Sequence, residues 1–311
     1  MVNWLLGYLV NWLIGQSGFW DFSLFFRILY HMIRKIEITL QSHTVIEGAG
    51  VKLQRVFGYP RRGFLDPFLL LDHFGSDNPV DYMAGFPWHP HRGIETVTYM
   101  LNGEVEHGDS MGNKGVIQSG GIQWMTAGNG IIHQEMPKEC NGSLNGFQLW
   151  INLPSSHKMM DPRYQNLASE KIREIDWKDI KIRVIAGKFG STEGPVKDII
   201  TKPTFLDLRV PPHTEQTIRV KNSHACFVYV HSGSGFFSSG KEKRVRAGTM
   251  AKLVDGDQVF FATENKEMRF IFVSGKPLNE PIEWRGAIVM NTKEELYQAF
   301  EEYHGGAFVK K

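Results

Sequence analysis

The sequence predicts an all-β chain of two similar halves, each a sandwich, barrel or jelly roll, with one short helix at its C-terminus. Three observations carry that expectation. Apolar and polar residues alternate over short runs, as in Ile36–Leu40, Glu95–Leu101 and Phe147–Leu153, and period-two alternation marks half-buried strands. Turn signals such as Asn102-Gly103, Ser119-Gly120-Gly121 and Gly128-Asn129-Gly130 punctuate the runs, in keeping with the tight turns that 32 glycines allow. The pattern then recurs in Ile180–Ile185, Thr204–Val210, Cys226–Val230, Gln258–Phe261 and Arg269–Val273, so the second half repeats the architecture of the first.

Taken in order, residues 1–35 form an apolar extension, 36–160 a first domain and 161–311 a second. The run of Trp, Leu, Phe and Tyr in residues 1–33 is interrupted by Asn11, Gln16, Ser17, Asp21 and Arg27. A spanning helix needs about 18–20 apolar residues with few or no charges, and a secretory signal needs a basic start. Three readings stay open: an interfacial membrane-associated helix with Arg34 and Lys35 at the headgroups, a packed arm, or a dispensable extension ahead of Met32. Residues 154–180, with Pro154 and Asp161-Pro162, read as a polar linker with a helical turn. The tail Thr292–Tyr303 reads as an amphipathic helix, N-capped by Asn291 or Thr292 and stopped by Gly305-Gly306.

Composition narrows the function. Charged residues make up 22% and hydrophobic residues 42%, the balance of a globular domain. A net charge of +2 argues against a broad electrostatic grip on nucleic acid. Two cysteines, Cys140 and Cys226, make no disulfide scaffold and match no zinc-finger spacing, so a reducing compartment is the default. The expected location is the cytoplasm, or also the nucleus in a eukaryote, with membrane contact only through residues 1–33.

Chemistry concentrates in two short segments. His89 and His91 are spaced by one residue, as are His133 and Glu135, and residues i and i+2 of a strand share a face. If the two strands face each other, four donors converge. Imidazoles with one carboxylate suit a mononuclear iron(II), manganese, nickel, copper or zinc ion. Around them stand residues with two readings each. Glu95 has the parity of the histidines and can face inward. His107 and Asp109 form a pocket rim or an exposed hairpin end. Arg92 orients a substrate anion or pairs with a structural carboxylate. Trp88 and Trp124 line a hydrophobic pocket or belong to the core, and Lys158 and Arg163 read as solvated. The second half has His213, His224 and His231 but no His-x-His, and its one His-x-Glu, His213-Thr214-Glu215, stands without a paired histidine motif, so no second metal site is expected.

Longer stretches carry a resemblance. Phe64–Phe74, Gly85–Tyr99, Gln123–Gly128, His133–Pro137, Leu149–Pro154, Lys158–Gln165 and Val289–Glu295 are similar to the pirin family, bicupins of the cupin superfamily. The resemblance runs from about residue 50 to 300. It implies two tandem jelly-roll barrels with one iron(II) in the first, held by His89, His91, His133 and Glu135. Many cupins use the carboxylate of the first motif, here Glu95; the pirin pattern uses the one after the third histidine. Glu95 then stands behind the ligands or by the substrate, with Arg92, His107 and Trp124. Three histidines and a carboxylate leave up to two of six octahedral positions open. The implied activity is that of a quercetin 2,3-dioxygenase, opening the central ring of a flavonol with O2 and releasing carbon monoxide, with Glu135 also accepting a proton. The alternative is a non-catalytic, iron-dependent redox sensor that binds a transcription factor or a metabolic enzyme.

Overall fold

The computed structural model describes residues 32–138 and 143–310. The expectations for the extension fall almost wholly on residues outside these, as does Cys140. Among the described residues no helix is long and apolar enough to cross a membrane.

The first barrel has two antiparallel sheets. The larger orders seven strands as Arg163–Leu167, Ile122–Thr126, Ile94–Asn102, Leu144–Asn152, Phe68–Ser76, Val51–Phe57 and His43–Glu47. The smaller orders four as Phe86–His91, Ile131–Pro137, Val105–Asp109 and Lys114–Ile117. The second barrel is a ten-stranded sheet that includes Ile180–Ala186, Thr204–Val210, Ala225–Phe236 and Met268–Gly275. Two departures from the sequence reading concern chain tracing. Lys35–Gln41 does not join the first barrel but pairs with Thr249–Val254 of the second. The stretch read as a linker supplies Arg163–Leu167, paired with Ile122–Thr126 at an edge of the first. Polar residues fill that strand, and an edge strand tolerates them because one side faces solvent.

Alternation in the first barrel's large sheet is buried on both faces. Val97, Tyr99, Phe147, Leu149 and Ile151 form one cluster with Phe205, Phe227, Tyr229, Ile271 and Val273 of the second barrel. The odd positions of these strands therefore cement the two barrels, and the even positions, Thr98, Gln148 and Trp150, belong to the first barrel's interior side. The second barrel is filled by an all-apolar cluster that includes Leu206, Val228, Phe237, Phe261 and Phe270.

The chain ends back on the first barrel. A hairpin of Glu283–Arg285 and Ile288–Met290 packs Trp284 and Val289 against Leu69, Leu70, Ile94 and Ile131. Helix α1, Lys293–His304, follows, with Thr292 and Glu295 forming a reciprocal capping box. Its Ala299 meets Ile288, Met290, Phe308 and Ile132.

Candidate metal centre

The small sheet brings the two histidine segments side by side. Ile131–Pro137 pairs antiparallel with Phe86–His91, placing His133 opposite His89 and Ile131 opposite His91. The Nε2 atoms of His89 and His91 lie 3.0 Å apart, as do those of His133 and His89. Among the described residues these three form the one cluster whose donor atoms all lie within 4.8 Å. His89 Nδ1 lies 2.8 Å from the Pro87 carbonyl oxygen; donation there leaves its Nε2 lone pair free for a ligand. Burial, reinforced by the neighbouring imidazoles, holds His91 and His133 well below the usual histidine range. Both therefore offer neutral rings at pH 7, the state a metal requires.

The residues fit a divalent transition ion. Three converging imidazole nitrogens cannot all satisfy one another, and a cation at their common focus would. Two nitrogens bound to one ion at ~2.1 Å each stand ~3.0–3.4 Å apart. The 3.0 Å separations from His89 are close enough for the three rings to hold one such ion.

Glu135 lies one pleat along from His133, past a register shift in the ladder, and is not part of the close triad. Its Oε1 accepts from Thr98 Oγ1 at 2.9 Å and its Oε2 from Gln148 Nε2 at 2.9 Å. Both donors come from the facing sheet, so the carboxylate is aimed within the barrel. His107 stands directly across from Glu135 in the ladder; it is buried, stacks on Tyr164 at 5.9 Å and is pulled down by burial. The hairpin-end reading therefore gives way to an interior one for His107. Asp109 alone serves the turn, accepting from the backbone of Met111 and Asn113.

Three expected contributors sit elsewhere. Arg92 is buried away from the triad: it pairs with Glu302 at 2.7 Å, donates to the Phe308 carbonyl at 2.9 Å and covers the Phe308 ring. It fastens the C-terminal segment. Glu95 shares the face of its strand with Val97 and Tyr99, against the second barrel, and accepts from Thr126 Oγ1. Its apparent parity with His91 is lost because Arg92 and Gly93 carry the chain from one sheet to the other. Burial pushes its carboxyl up to about 7. Trp124 belongs to the inter-barrel core. Lys158, expected in solvent, is 1% exposed, its ammonium donating to Gly93 O, Asn152 Oδ1 and Val289 O at 2.7–2.9 Å. That junction also explains Gly93, with φ of 77°: a Cβ there would stand 2.0 Å from the Val289 oxygen.

Through His89 the triad borders a cleft of about 710 Å³, whose lining also includes Trp88, Trp150, Tyr59, Trp284 and Arg285. Trp150 touches His91 edge-on at 5.2 Å, and Trp284 lies 6.1 Å from Trp150 and 5.8 Å from Tyr59. Tyr59 and Trp88 are more than half exposed at the mouth. A cavity of about 30 Å³ lies deeper, beside Glu135, Gln148 and Thr98, room for about one water. Sequence reasoning missed Thr98, Gln148, Trp150 and Trp284. The first three were detectable as the even positions of strands it had recognised; Trp284 carried no signal linking it to the histidines.

Two barrels packed face to face, with a histidine triad in the first, define a bicupin. The pirin family model matches residues 50–151, and that of the pirin C-terminal cupin domain residues 205–309. A Pseudomonas aeruginosa protein provisionally named a quercetin 2,3-dioxygenase is 40% identical over 270 residues, 85% of this chain and 94% of the relative. The crystal structure of a quercetin 2,3-dioxygenase from Acinetobacter baumannii superposes with a TM-score of 0.83 at 35% identity, covering 89% of this chain and 99% of that one. The fold extends to the bacterial pirin YhhW of Escherichia coli, solved in complex with nickel(II), with a TM-score of 0.59 at 18% identity over 77% of this chain and 98% of that one. The chain belongs to the pirin family of the cupin superfamily.

Proposed function

We propose that this protein is a mononuclear iron(II) dioxygenase acting on flavonol-like substrates, with His89, His91, His133 and Glu135 as the ligand set. The observation that carries the reading is the convergence of three imidazole nitrogens, one of which, from His89, lines an aromatic-walled cleft. A bound divalent iron would supply Lewis acidity toward an enolic oxygen and a redox couple for O2. The protein's own groups account for the rest. Tyr59, Trp88, Trp150 and Trp284 offer flat apolar faces on which a fused aromatic ring system can stack. The small inner cavity is too tight for such a substrate, so it must lie in the cleft with its reacting edge toward His89. Glu135, held by Thr98 and Gln148, is oriented to take the proton of the flavonol 3-hydroxyl, and the buried surroundings limit competing water.

The test is oxygen-dependent loss of quercetin with detection of carbon monoxide, on protein loaded anaerobically with iron(II), beside a His133→Ala variant. Turnover that requires both iron and His133 is the expected result. No turnover from iron-loaded wild type refutes the enzymatic reading and turns attention to regulation of a protein partner by the metal's redox state.

A further inference from the structure

The charged groups of the cleft are unevenly committed. On one wall Arg55 is held by Asp72 through two hydrogen bonds of 2.8–2.9 Å and by Glu47 at 2.7 Å, so two carboxyl groups there share one guanidinium. Arg285, which also lines the cleft, pairs with no carboxylate among the described residues; it is exposed, and its guanidinium lies 4.9 Å from the Phe300 ring of α1. The wall that carries Arg285 is rigidly seated. Trp284 donates its indole N–H to Gly286 O at 2.8 Å, Val289 N–H donates to Arg92 O at 3.0 Å, and Lys158 holds Val289 O. A guanidinium without a carboxylate partner, carried on a seated hairpin beside an aromatic cleft, is suited to bind an anion.

We infer that Arg285 makes the cleft selective for aromatic substrates that carry an anionic group remote from the reacting hydroxyl. The inference deepens the proposed function and rests on it. The stacking walls are indifferent to such a group, and the acidic Glu47–Arg55–Asp72 wall disfavours it, so orientation follows: the anionic end lies toward Arg285 and neutral hydroxyls toward Glu47. Charge on the substrate thus fixes which edge meets His89.

The experiment measures binding, not turnover. Quenching of tryptophan fluorescence in zinc-loaded protein, under nitrogen, is titrated with quercetin and with a quercetin sulfonate. Arg285→Ala is expected to weaken the sulfonate about five-fold, the scale of one exposed charge pair, and to leave quercetin within about two-fold. Arg285→Lys restores most of the difference, and about 0.5 M salt erases it in the wild type. Equal weakening of both ligands would mean that the wall had merely been disturbed, and no change in either would mean that Arg285 is a bystander; both overturn the inference. If neither ligand quenches the wild type, the proposed function falls, and the selectivity built on it falls too.

Discussion

Glu95→Gln separates the two carboxylates that the sequence offered as ligands. Glu95 is wholly buried, and burial lifts its carboxyl from 4.5 to about 7. At ~1.4 kcal/mol per pH unit, that displacement is worth ~3 kcal/mol. The sign follows from linkage. Between pH 4.5 and 7 the folded state binds the proton and the unfolded state has released it, so Glu95's contribution to stability is full below 4.5 and is lost as pH rises through 7. A glutamine never ionises and escapes the loss. The variant should therefore match the wild type near pH 5 and exceed it by up to ~3 kcal/mol near pH 8. Urea unfolding of both proteins at the two pH values measures this, and contributions from the histidines cancel in the comparison. Iron content and flavonol turnover should be unchanged. Loss of iron from Glu95→Gln, or no pH-dependent gain, would refute the placement of this carboxylate outside the metal centre.

Three further outcomes are expected. Thr98→Val frees one oxygen of Glu135 and should lower iron affinity or turnover about ten-fold, the scale of a lost partner behind a ligand, as read by metal titration and initial rates. Lys158→Met strands three buried acceptors at about 1–3 kcal/mol each, so unfolding stability should fall by at least ~3 kcal/mol; an unchanged midpoint would refute the tie between the Gly93 turn and the C-terminal hairpin. Thr292→Ala removes the cap of α1 and should cost ~1 kcal/mol, measured by thermal unfolding, with the iron site intact.

Alternation carried much of this fold in plain view. Phe147–Leu153 and Glu95–Leu101 are legible as strands because their odd positions, Glu95 apart, are apolar, and the paired spacing in His89/His91 and His133/Glu135 named the metal candidates. Parity failed where the chain changes sheets. Glu95 follows His91 by four residues, yet the Arg92-Gly93 turn reverses which face it takes, and no local pattern records that. Polar residues misled for a second reason. Lys158 and Arg92 are cations that ordinarily seek water, but each finds buried carbonyl or carboxylate partners supplied by residues more than a hundred positions away. The cleft wall of Trp284 and Arg285 has the same origin: it exists only because the tail of the second half folds back over the first.

The central claim is a single ion on three imidazoles of the first barrel. X-ray absorption and metal analysis on anaerobically iron(II)-loaded protein, with His133→Ala alongside, address it most directly. One iron per chain in a six-coordinate nitrogen and oxygen shell at ~2.1 Å, lost in His133→Ala, is the predicted result. Stoichiometric iron retained by His133→Ala, or a shell without imidazole scattering, would contradict it.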